Sequence, residues 1–324
     1  MFSTALRGLA AALGLAAAAC FAGQAAAQDA AACPPTAQRP STAQQQAAER
    51  QARDRGFLWR IEQGGRTSWL YGTIHVARYE WTVPGPQLAA ALRQARVLAL
   101  EIDLGDPQAL ADALLASPAL TGGGALPPAV RERLARRLAA ECLPTALADL
   151  LPPTLQAATL GALAGRREGL DPAWAIDMAL STRAHAAKKR VIALESLADQ
   201  LAALQGRDSA DSLRFVERTL DDLDSGRALP QVRRIAEVWA RADHGELERW
   251  PAWCDCLDSP ADRALMHRLL DARNGAMAER IDALHREGGA VLAAVGALHM
   301  TGPQGLPALL AARGYRVERV PFAR

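Results

Sequence analysis

The sequence predicts an α/β fold, with a mainly parallel central sheet flanked by helices and a large helical insertion. Three apolar runs, at residues 96–102, 190–194 and 290–295, have the composition of buried strands and are separated by stretches of helical character. Continuous apolar runs alternating with helices are typical of a parallel sheet covered on both faces. The middle of the chain, about 105–170 and 197–260, is rich in Ala, Leu and Arg, and this composition predicts the insertion.

Composition and charge exclude several classes of protein. Half of the 324 residues are hydrophobic, which excludes wholesale disorder and leaves enough apolar side chains for a substantial core. The chain has 37 basic and 35 acidic residues and a formal net charge of +2. Nucleic-acid-binding proteins usually carry a basic excess, so we expect no nucleic-acid partner.

The first 27 residues have the order of a secretory signal peptide. Arg7 precedes an apolar run over residues 9–21, and Ala25 and Ala27 fit the small positions of a cleavage site. Cleavage after Ala27 predicts a periplasmic or secreted protein.

Lipid attachment at Cys20 is the alternative to cleavage after Ala27, and it is less favoured because only Ala precedes this cysteine where a large aliphatic residue is expected. Residues 28–55 are rich in Ala and Gln and are interpreted as a flexible leader, so regular structure is expected to begin at Phe57. No later segment offers a long unbroken apolar span, so we expect no stable membrane insertion after cleavage.

The cysteines that follow the signal peptide predict structural disulfides. They are even in number, as is common for disulfide-bonded proteins of an oxidising compartment, and three pairings are open: Cys33, Cys142, Cys254 and Cys256. Cys254 and Cys256 are judged too close in sequence to bond comfortably with each other. A bond from Cys142 to one of these two would tie the middle of the chain to a late segment, and the pairing stays open.

The folded domain, residues 56–324, is expected to open with a β-hairpin. Two β-like runs, 57–61 and 68–72, flank Gly64-Gly65, a typical hairpin signal. Further predicted elements are helices at Pro86–Gln94, Pro172–Ala187, Asp262–Arg286 and Pro303–Arg313, helix starts at Pro107, Pro127 and Pro153, and a last strand at Tyr315–Val320.

Two Gly-x-x-His motifs follow predicted strands and are the main candidates for chemistry. One ends in His75 and the other in His299. Side chains just past the carboxyl ends of parallel strands face the ligand crevice of such folds. Two histidines placed there could bind a metal ion or share acid–base work. A single histidine after a strand is more often a hydrogen-bonded structural residue. Two such histidines at matching strand ends favour a functional site.

Carboxylates occupy equivalent strand ends. Glu101 and Asp103 share one face because side chains alternate along a strand, and Glu195 ends another apolar run. Any one of them could simply mark where a strand meets water. Together with two histidines they would form a divalent-metal site or a His/Glu pair that activates water. The remaining histidines are interpreted as solvated or capping residues: His185, His244, His267 and His285.

The chain resembles the TraB/GumN family, which is related to the Tiki proteins and more distantly to erythromycin esterases and ChaN-like haem-binding proteins. The resemblance lies in six motifs in order: Leu70–Val76, Leu98–Asp103, Gly169–Asp171, Lys189–Gln200, Arg273-Asn274 and Val295–Gly305. One departure is Lys188-Lys189, where the family has Gly-Lys.

This resemblance implies an α/β core with both Gly-x-x-His motifs at one active site. Tiki proteins are divalent-metal-dependent proteases, which implies that His75 and His299 are metal ligands and that Glu101 is a ligand or the general base. The metal implied is Mn, Co or Zn. Erythromycin esterases imply a different mechanism on a similar scaffold, in which a His and a Glu activate water without metal.

The sequence therefore predicts a periplasmic or secreted metal-dependent hydrolase, acting on a peptide or a small-molecule substrate. Asp103 is a further candidate metal ligand or holds a ligand in place, Glu195 supports the site, and Arg273 steadies a carboxylate or an oxyanion. Two alternatives stay open: a metal-free His/Glu hydrolase of the esterase type, and a non-catalytic protein that binds haem or a peptide in the same crevice.

Overall fold

The computed structural model describes residues 33–103, 126–144 and 151–323. The predicted signal peptide, the lipidation site at Cys20 and the helix start at Pro107 lie outside these residues. The described chain divides into two compact units. The sheet unit comprises the described residues of 39–105, 174–196 and 234–324, and the helical unit those of 1–38, 106–173 and 197–233.

The sheet unit contains a six-stranded sheet in the order β4-β3-β5-β2-β1-β6. Its strands are β1 (Phe57–Gln63), β2 (Arg66–Thr73), β3 (Val97–Leu100), β4 (Arg190–Ala193), β5 (Val291–Gly296) and β6 (Arg316–Arg319). The neighbours β4, β3, β5 and β2 run parallel, and β1 runs antiparallel to both β2 and β6. The predicted mainly parallel α/β sheet is confirmed.

Helices supply most of the remaining regular structure. In chain order they are α1 (Thr42–Arg50), α2 (Pro86–Gln94), α3 (Pro128–Ala140), α4 (Pro153–Leu163), α5 (Ile176–Ala186), α6 (Leu197–Gln205), α7 (Ser209–Asp224), α8 (Ala228–Ala240), α9 (His244–Glu248), α10 (Pro260–Leu269), α11 (Asp271–Arg286) and α12 (Leu306–Ala312). Within the described ranges, no helix is both long and apolar enough to cross a membrane.

The hairpin β1–β2 forms as predicted, because its two turn residues are glycines. Gln63 pairs with Arg66, so the loop consists of Gly64 and Gly65 alone. Their φ angles are 58° and 73°, values that glycine adopts without steric cost and that a two-residue type I′ hairpin turn requires.

Burial of the strands follows their place in the sheet. Every residue of β3 and β5 is buried, as expected for parallel strands covered on both faces. The run 190–194 does form a strand, β4, but the prediction that this strand is buried is wrong. β4 pairs with β3 alone among the described strands and lies at the sheet edge, so its residues are partly or fully exposed.

The predicted helices Pro172–Ala187 and Pro303–Arg313 are shorter in the structure, where they are α5 and α12, and two further expectations about helices are wrong. The predicted helix Asp262–Arg286 is two helices, α10 and α11, because Leu270 leaves the helical conformation with φ −120° and ψ −81°. Regular structure also begins before Phe57. Helix α1 lies inside the predicted leader, and Ser41 and Gln44 form a capping box at its start.

The helical unit has its own apolar core. Val130, Leu134 and Leu138 repeat at four-residue spacing along α3 and so lie on one helix face. They pack in a cluster with side chains of α4 and α7: Ala157, Leu160, Val216 and Leu220. Pro127 and Pro153 mark the starts of α3 and α4 as predicted.

The expectation that Cys254 and Cys256 are too close in sequence to bond with each other is wrong. Cys33 bonds Cys142 across a separation of 109 residues, and Cys254 bonds Cys256 across a separation of two. The short bond closes because Asp255, between the two cysteines, has a left-handed backbone with φ 47°. This turn brings the two cysteine Cα atoms to 5.0 Å, within the range that a disulfide spans.

The interpretation of the remaining histidines as solvated or capping residues is wrong for His285 and holds only in part for the half-buried His244. His285 is buried, and its Nδ1 lies 2.8 Å from Ser68 Oγ. His244 packs edge-on against Phe57 and Trp59, with ring centroids 4.9 Å and 5.3 Å apart. Burial lowers the pKa of His244 to about 4, and the Arg319 charge adds to this effect.

Candidate functional site

The candidate site lies where the parallel strands of the sheet unit end. His75 follows β2, Glu101 follows β3, Glu195 follows β4, and His299 follows β5. These four strands are neighbours and run in the same direction, so their carboxyl ends lie at one edge of the sheet. This is the edge at which α/β folds bind ligands.

Gly296, the last residue of β5, is the point on which three of the predicted site residues converge. A Cβ placed on this glycine would lie 3.2 Å from Glu101 Oε1, 3.5 Å from His75 Nε2 and 3.6 Å from His299 Cδ2. The absence of a side chain at this position leaves the space that the three groups share. We call Glu101, His75 and His299 the Gly296 cluster.

His75 is the exposed member of the Gly296 cluster, with 60% of its side chain accessible. Its Nδ1 lies 3.2 Å from Asp177 Oδ2, in the first turn of α5. Partial desolvation of the ring lowers its pKa, but the carboxylates of Asp177 and Glu101 outweigh that effect and raise the pKa to about 9. The hydrogen bond to Asp177 leaves Nε2 on the side of Gly296.

His299 is the buried member of the pair of histidines. Its Nδ1 lies 2.6 Å from Asn274 Oδ1 in α11. Asn274 Nδ2 donates to the carbonyl of Gln304 at 2.8 Å, which fixes the orientation of the amide. The amide oxygen therefore accepts a proton from Nδ1, so the lone pair of the neutral ring is on Nε2. Burial lowers the pKa of His299, which favours this neutral form.

Glu101 is a buried carboxylate held on both oxygens. The Gly296 N–H donates to Oε1 at 2.7 Å and Arg273 Nη2 donates to Oε2 at 2.8 Å. Burial alone raises the pKa of Glu101, but His299, His75 and Arg273 and the Gly296 N–H outweigh it and hold the pKa at about 2. Glu101 is therefore ionised at neutral pH. Because His299 is favoured as neutral, the positive charges beside Glu101 at neutral pH are those of Arg273 and of His75, whose pKa is about 9.

Arg273 joins two of the predicted carboxylates. Its Nε donates to Glu195 Oε2 at 2.9 Å, its Nη2 also bonds Glu195 Oε1, and the same nitrogen reaches Glu101. Nη1 donates to the carbonyl of Leu269 at 2.7 Å, which anchors the guanidinium at the end of α10. The planar guanidinium suits this task because it offers several donors in fixed directions.

Asp103 makes its hydrogen bonds with a different set of residues. Ser181 Oγ donates to Oδ1 at 2.7 Å, and His185 Nε2 lies 2.8 Å from Oδ2. Both partners are on α5, one helical turn apart. These bonds tie the end of β3 to α5, the helix that carries Asp177. A role of Asp103 as a metal ligand stays a prediction.

The donor types of the Gly296 cluster fit a divalent metal ion. Two imidazoles and one carboxylate are a common ligand set of catalytic zinc sites. Each imidazole has its other nitrogen held by an oxygen acceptor, as ligating histidines usually do. Among the described residues, however, no group of three or more His, Cys, Asp or Glu side chains is arranged to hold a metal ion. Binding would thus require the cluster to contract, and Glu101 to shift against Arg273.

Two buried oxygens beside the cluster lack a hydrogen-bond partner within the described part of the chain. They are Thr73 Oγ1, at the end of β2, and Asp177 Oδ1, whose companion oxygen contacts His75. Unpaired buried oxygens are costly and usually have a partner such as ordered water or a ligand. These two oxygens are further hydrogen-bond acceptors at this edge of the sheet.

Sequence reasoning missed two residues that hold the histidines, Asp177 and Asn274. Asn274 was noted in the Arg-Asn motif without a role. Asp177 lies in the first turn of a helix, where a carboxylate commonly interacts with the helix dipole, so nothing local distinguishes it. The predicted residues His75, His299, Glu101, Glu195 and Arg273 are brought together, and their chemical roles stay predictions.

The fold and this edge define an α/β protein with a histidine–carboxylate site at the ends of its parallel strands. The chain belongs to the TraB/PrgY/gumN family, whose pattern matches residues 57–319. Comparisons with curated proteins and with solved structures gave no match. The resemblance noted in the sequence is thereby confirmed at the level of the family.

Proposed function

We propose that the chain is a divalent-metal-dependent hydrolase that cleaves peptide bonds, with the Gly296 cluster as its catalytic centre. The observation that carries the proposal is the convergence of His75, His299 and Glu101 on one glycine. The Nδ1 atoms of both histidines are held by neighbouring oxygens, so their Nε2 atoms are the ones available for binding. The choice of a peptide substrate rests on the resemblance to Tiki proteins.

Each residue of the site has a separate role in this proposal, set by its charge and its position. His75, His299 and Glu101 would hold the ion, and Asp177 and Asn274 keep the two imidazole rings oriented. A bound divalent ion would polarise the scissile carbonyl and lower the pKa of water. The small size of Gly296 keeps open the space in which substrate and water approach.

Arg273 has two tasks in this proposal. It pairs with both Glu101 and Glu195 and balances one of their two negative charges in a largely buried setting, where side-chain exposure is between 8% and 15%. It also places a permanent positive charge beside the reacting centre, where it stabilises negative charge that develops in the transition state. Glu195 holds the guanidinium in the orientation that reaches Glu101.

A metal-free hydrolase is the second candidate, and one observation favours it. The contact between Asp177 and His75 has the arrangement of a carboxylate that orients a catalytic imidazole. In this candidate the neutral form of His75, which is the minor form at neutral pH because the pKa is about 9, takes the proton of the attacking water. Arg273 stabilises the developing oxyanion. Neither step requires the Gly296 cluster to contract around an ion.

The compartment is part of the proposal. A periplasmic or secreted location is supported by the two disulfides, since such bonds persist in oxidising compartments.

A cleavage assay tests the proposal and separates its alternatives. The protein is treated with chelator, supplied with Mn²⁺, Co²⁺ or Zn²⁺ in turn, and incubated with a fluorogenic peptide library. We expect cleavage only after metal is restored, and its loss in a His75→Ala/His299→Ala variant. His267→Ala is the matched control, because this histidine is exposed and pairs with Asp271; it should cleave like the wild type.

Other outcomes decide against the proposal in distinct ways. Cleavage that survives the chelator but is abolished by His75→Ala would establish the metal-free hydrolase. Absence of cleavage, with a Soret band after reconstitution with haem, would establish a binding protein. Cleavage unaffected by the double variant would remove the Gly296 cluster from the reaction altogether.

A further inference from the structure

The disulfide between Cys254 and Cys256 joins two cysteines that are close in sequence and does not link distant parts of the chain. It closes a small ring that contains only Asp255 between the two cysteines. It lies in the connection between the short 3-10 helix Trp250–Ala252 and helix α10. Both cysteines are partly exposed and Asp255 is exposed, so a reacting thiol can approach.

The backbone of Asp255 makes the closed ring costly. Its φ of 47° lies in the left-handed region, which is less favourable for an L-residue than for glycine, although aspartate adopts it more often than most other residues do. Opening the disulfide allows this residue to return to an ordinary conformation. Exposed or strained disulfides of this type are the more readily reduced ones.

A hydrogen bond identifies the sulfur that leaves most readily. The N–H of Cys256 donates to Cys254 Sγ at 3.2 Å. The same N–H would stabilise negative charge on Cys254 Sγ when the bond breaks. A sulfur whose thiolate is stabilised is the better leaving group in thiol–disulfide exchange, so an incoming thiolate would attack Cys256.

Contacts on both sides hold the loop independently of the disulfide. On one side, Trp253 Nε1 donates to the carbonyl of Glu246 at 3.1 Å, and Arg234 lies over the Trp253 ring at 4.6 Å. On the other side, Ser259 and Asp262 form a capping box at the start of α10. The loop therefore keeps its attachment points when the disulfide opens, which makes repeated opening and closing feasible.

Cys33–Cys142 provides an internal comparison. It closes a separation of 109 residues, and bonds that close long loops give the larger stabilisation. Cys142 also has a positive φ, 52°, but it terminates α3, where the Leu143 N–H bonds the carbonyl of Leu138 in a normal helix C-cap. The conformation of Cys142 is thus supported by the helix end, and this disulfide is structural.

We propose that Cys254–Cys256 is a thiol–disulfide exchange site whose partner is a dithiol. One thiolate of the dithiol attacks Cys256 Sγ, which breaks the bond to Cys254 Sγ and forms a mixed disulfide. The second thiolate then attacks the partner's own sulfur, which releases Cys256 as a thiolate. The dithiol is oxidised to a disulfide, and its two electrons and two protons pass to Cys254 and Cys256. This site does not depend on the proposed hydrolase function.

Redox equilibration tests the proposal on the wild-type protein. The oxidised chain is equilibrated with dithiothreitol at graded ratios of reduced to oxidised reagent, quenched in acid and alkylated, and each cysteine is quantified by peptide mass spectrometry. We expect Cys254–Cys256 to reach half reduction at a ratio at least tenfold more oxidising than Cys33–Cys142 does, a difference of about 30 mV for a two-electron couple. Simultaneous opening, or earlier opening of Cys33–Cys142, would overturn the proposal.

Two single substitutions test which sulfur leaves. Cys254 is the sole remaining thiol of the pair in Cys256→Ser, and its Sγ keeps the neighbouring backbone N–H. Cys256 is the corresponding thiol in Cys254→Ser. Rates of alkylation by iodoacetamide against pH should show the lower midpoint for Cys254. A lower midpoint for Cys256 would refute the assigned direction of attack.

Discussion

Replacement of Arg273 by Met tests the electrostatic structure of the site most severely. Methionine keeps much of the volume of the side chain and removes its charge and all its donors. Glu101 and Glu195 would then remain in a setting where their side chains are 10% and 8% exposed. Two ionised carboxylates with little access to water would have lost their shared cation.

The structure gives the size of the effect. Loss of one partner from a buried ion pair costs about 3–5 kcal/mol. The pKa of Glu101, about 2 against an ordinary value of 4.5, corresponds to roughly 3 kcal/mol at about 1.36 kcal/mol per unit, and Arg273 supplies one part of this shift after His299 and His75. Since this pKa is depressed in the folded state, the stabilisation is present above pH 4.5. We therefore expect Arg273→Met to lower the free energy of unfolding at pH 7 by about 3–5 kcal/mol.

Denaturant unfolding followed by tryptophan fluorescence measures this quantity. Every tryptophan of the chain belongs to the sheet unit, so the signal reports the unit that contains the site: Trp59, Trp69, Trp81, Trp174, Trp239, Trp250 and Trp253. Arg241→Met is the matched control. Arg241 and its partner Glu237 are both more than half exposed, and exposed pairs contribute less than about 1 kcal/mol. Equal destabilisation by the two variants would refute the electrostatic account.

Three further predictions follow from individual residues. Gly296→Ala should reduce metal binding and hydrolysis at least about 100-fold by filling the shared space, whereas Gly275→Ala, with nothing within 4 Å of its Cβ, should leave metal binding and hydrolysis unchanged. Because the pKa of His244 is about 4 when folded and 6.5 when unfolded, stability should fall by roughly 1–3 kcal/mol between pH 6.5 and 4. His244→Phe should abolish that fall in urea unfolding. Removal of the Cys33–Cys142 bond by double serine substitution should destabilise the helical unit by about 4 kcal/mol in calorimetry.

Local chemistry made much of the sheet predictable. Gly64-Gly65 defined the hairpin because its turn needs positive φ at both residues. The apolar runs of β3 and β5 defined buried strands because continuous hydrophobicity is what a doubly covered strand requires. The edge position of β4 could not be read in the same way, since its run of apolar residues resembles that of a central strand.

The partners of the site residues were less predictable because they come from distant elements. Asp177 contacts a histidine 102 residues away, and Asn274 contacts His299 across 25 residues. Which side chains of α5 and α11 face the strand ends depends on how each helix packs on the sheet, and its sequence alone does not specify that. The expectation that Cys254 and Cys256 would not bond with each other failed for a different reason. The left-handed backbone of Asp255 makes the bond between Cys254 and Cys256 feasible. The presence of an aspartate in the sequence does not by itself predict that conformation.

Metal content is the most direct test of the central claim that His75 and His299 form one site with Glu101. The protein is loaded with Mn²⁺, Co²⁺ or Zn²⁺, freed of unbound metal and measured by elemental analysis, beside the His75→Ala/His299→Ala variant and the His267→Ala control. We expect one ion per chain in the wild type and in the control, and none in the double variant. Equal metal content in wild type and double variant, or none in any of the proteins with any of the three ions, would contradict the central claim.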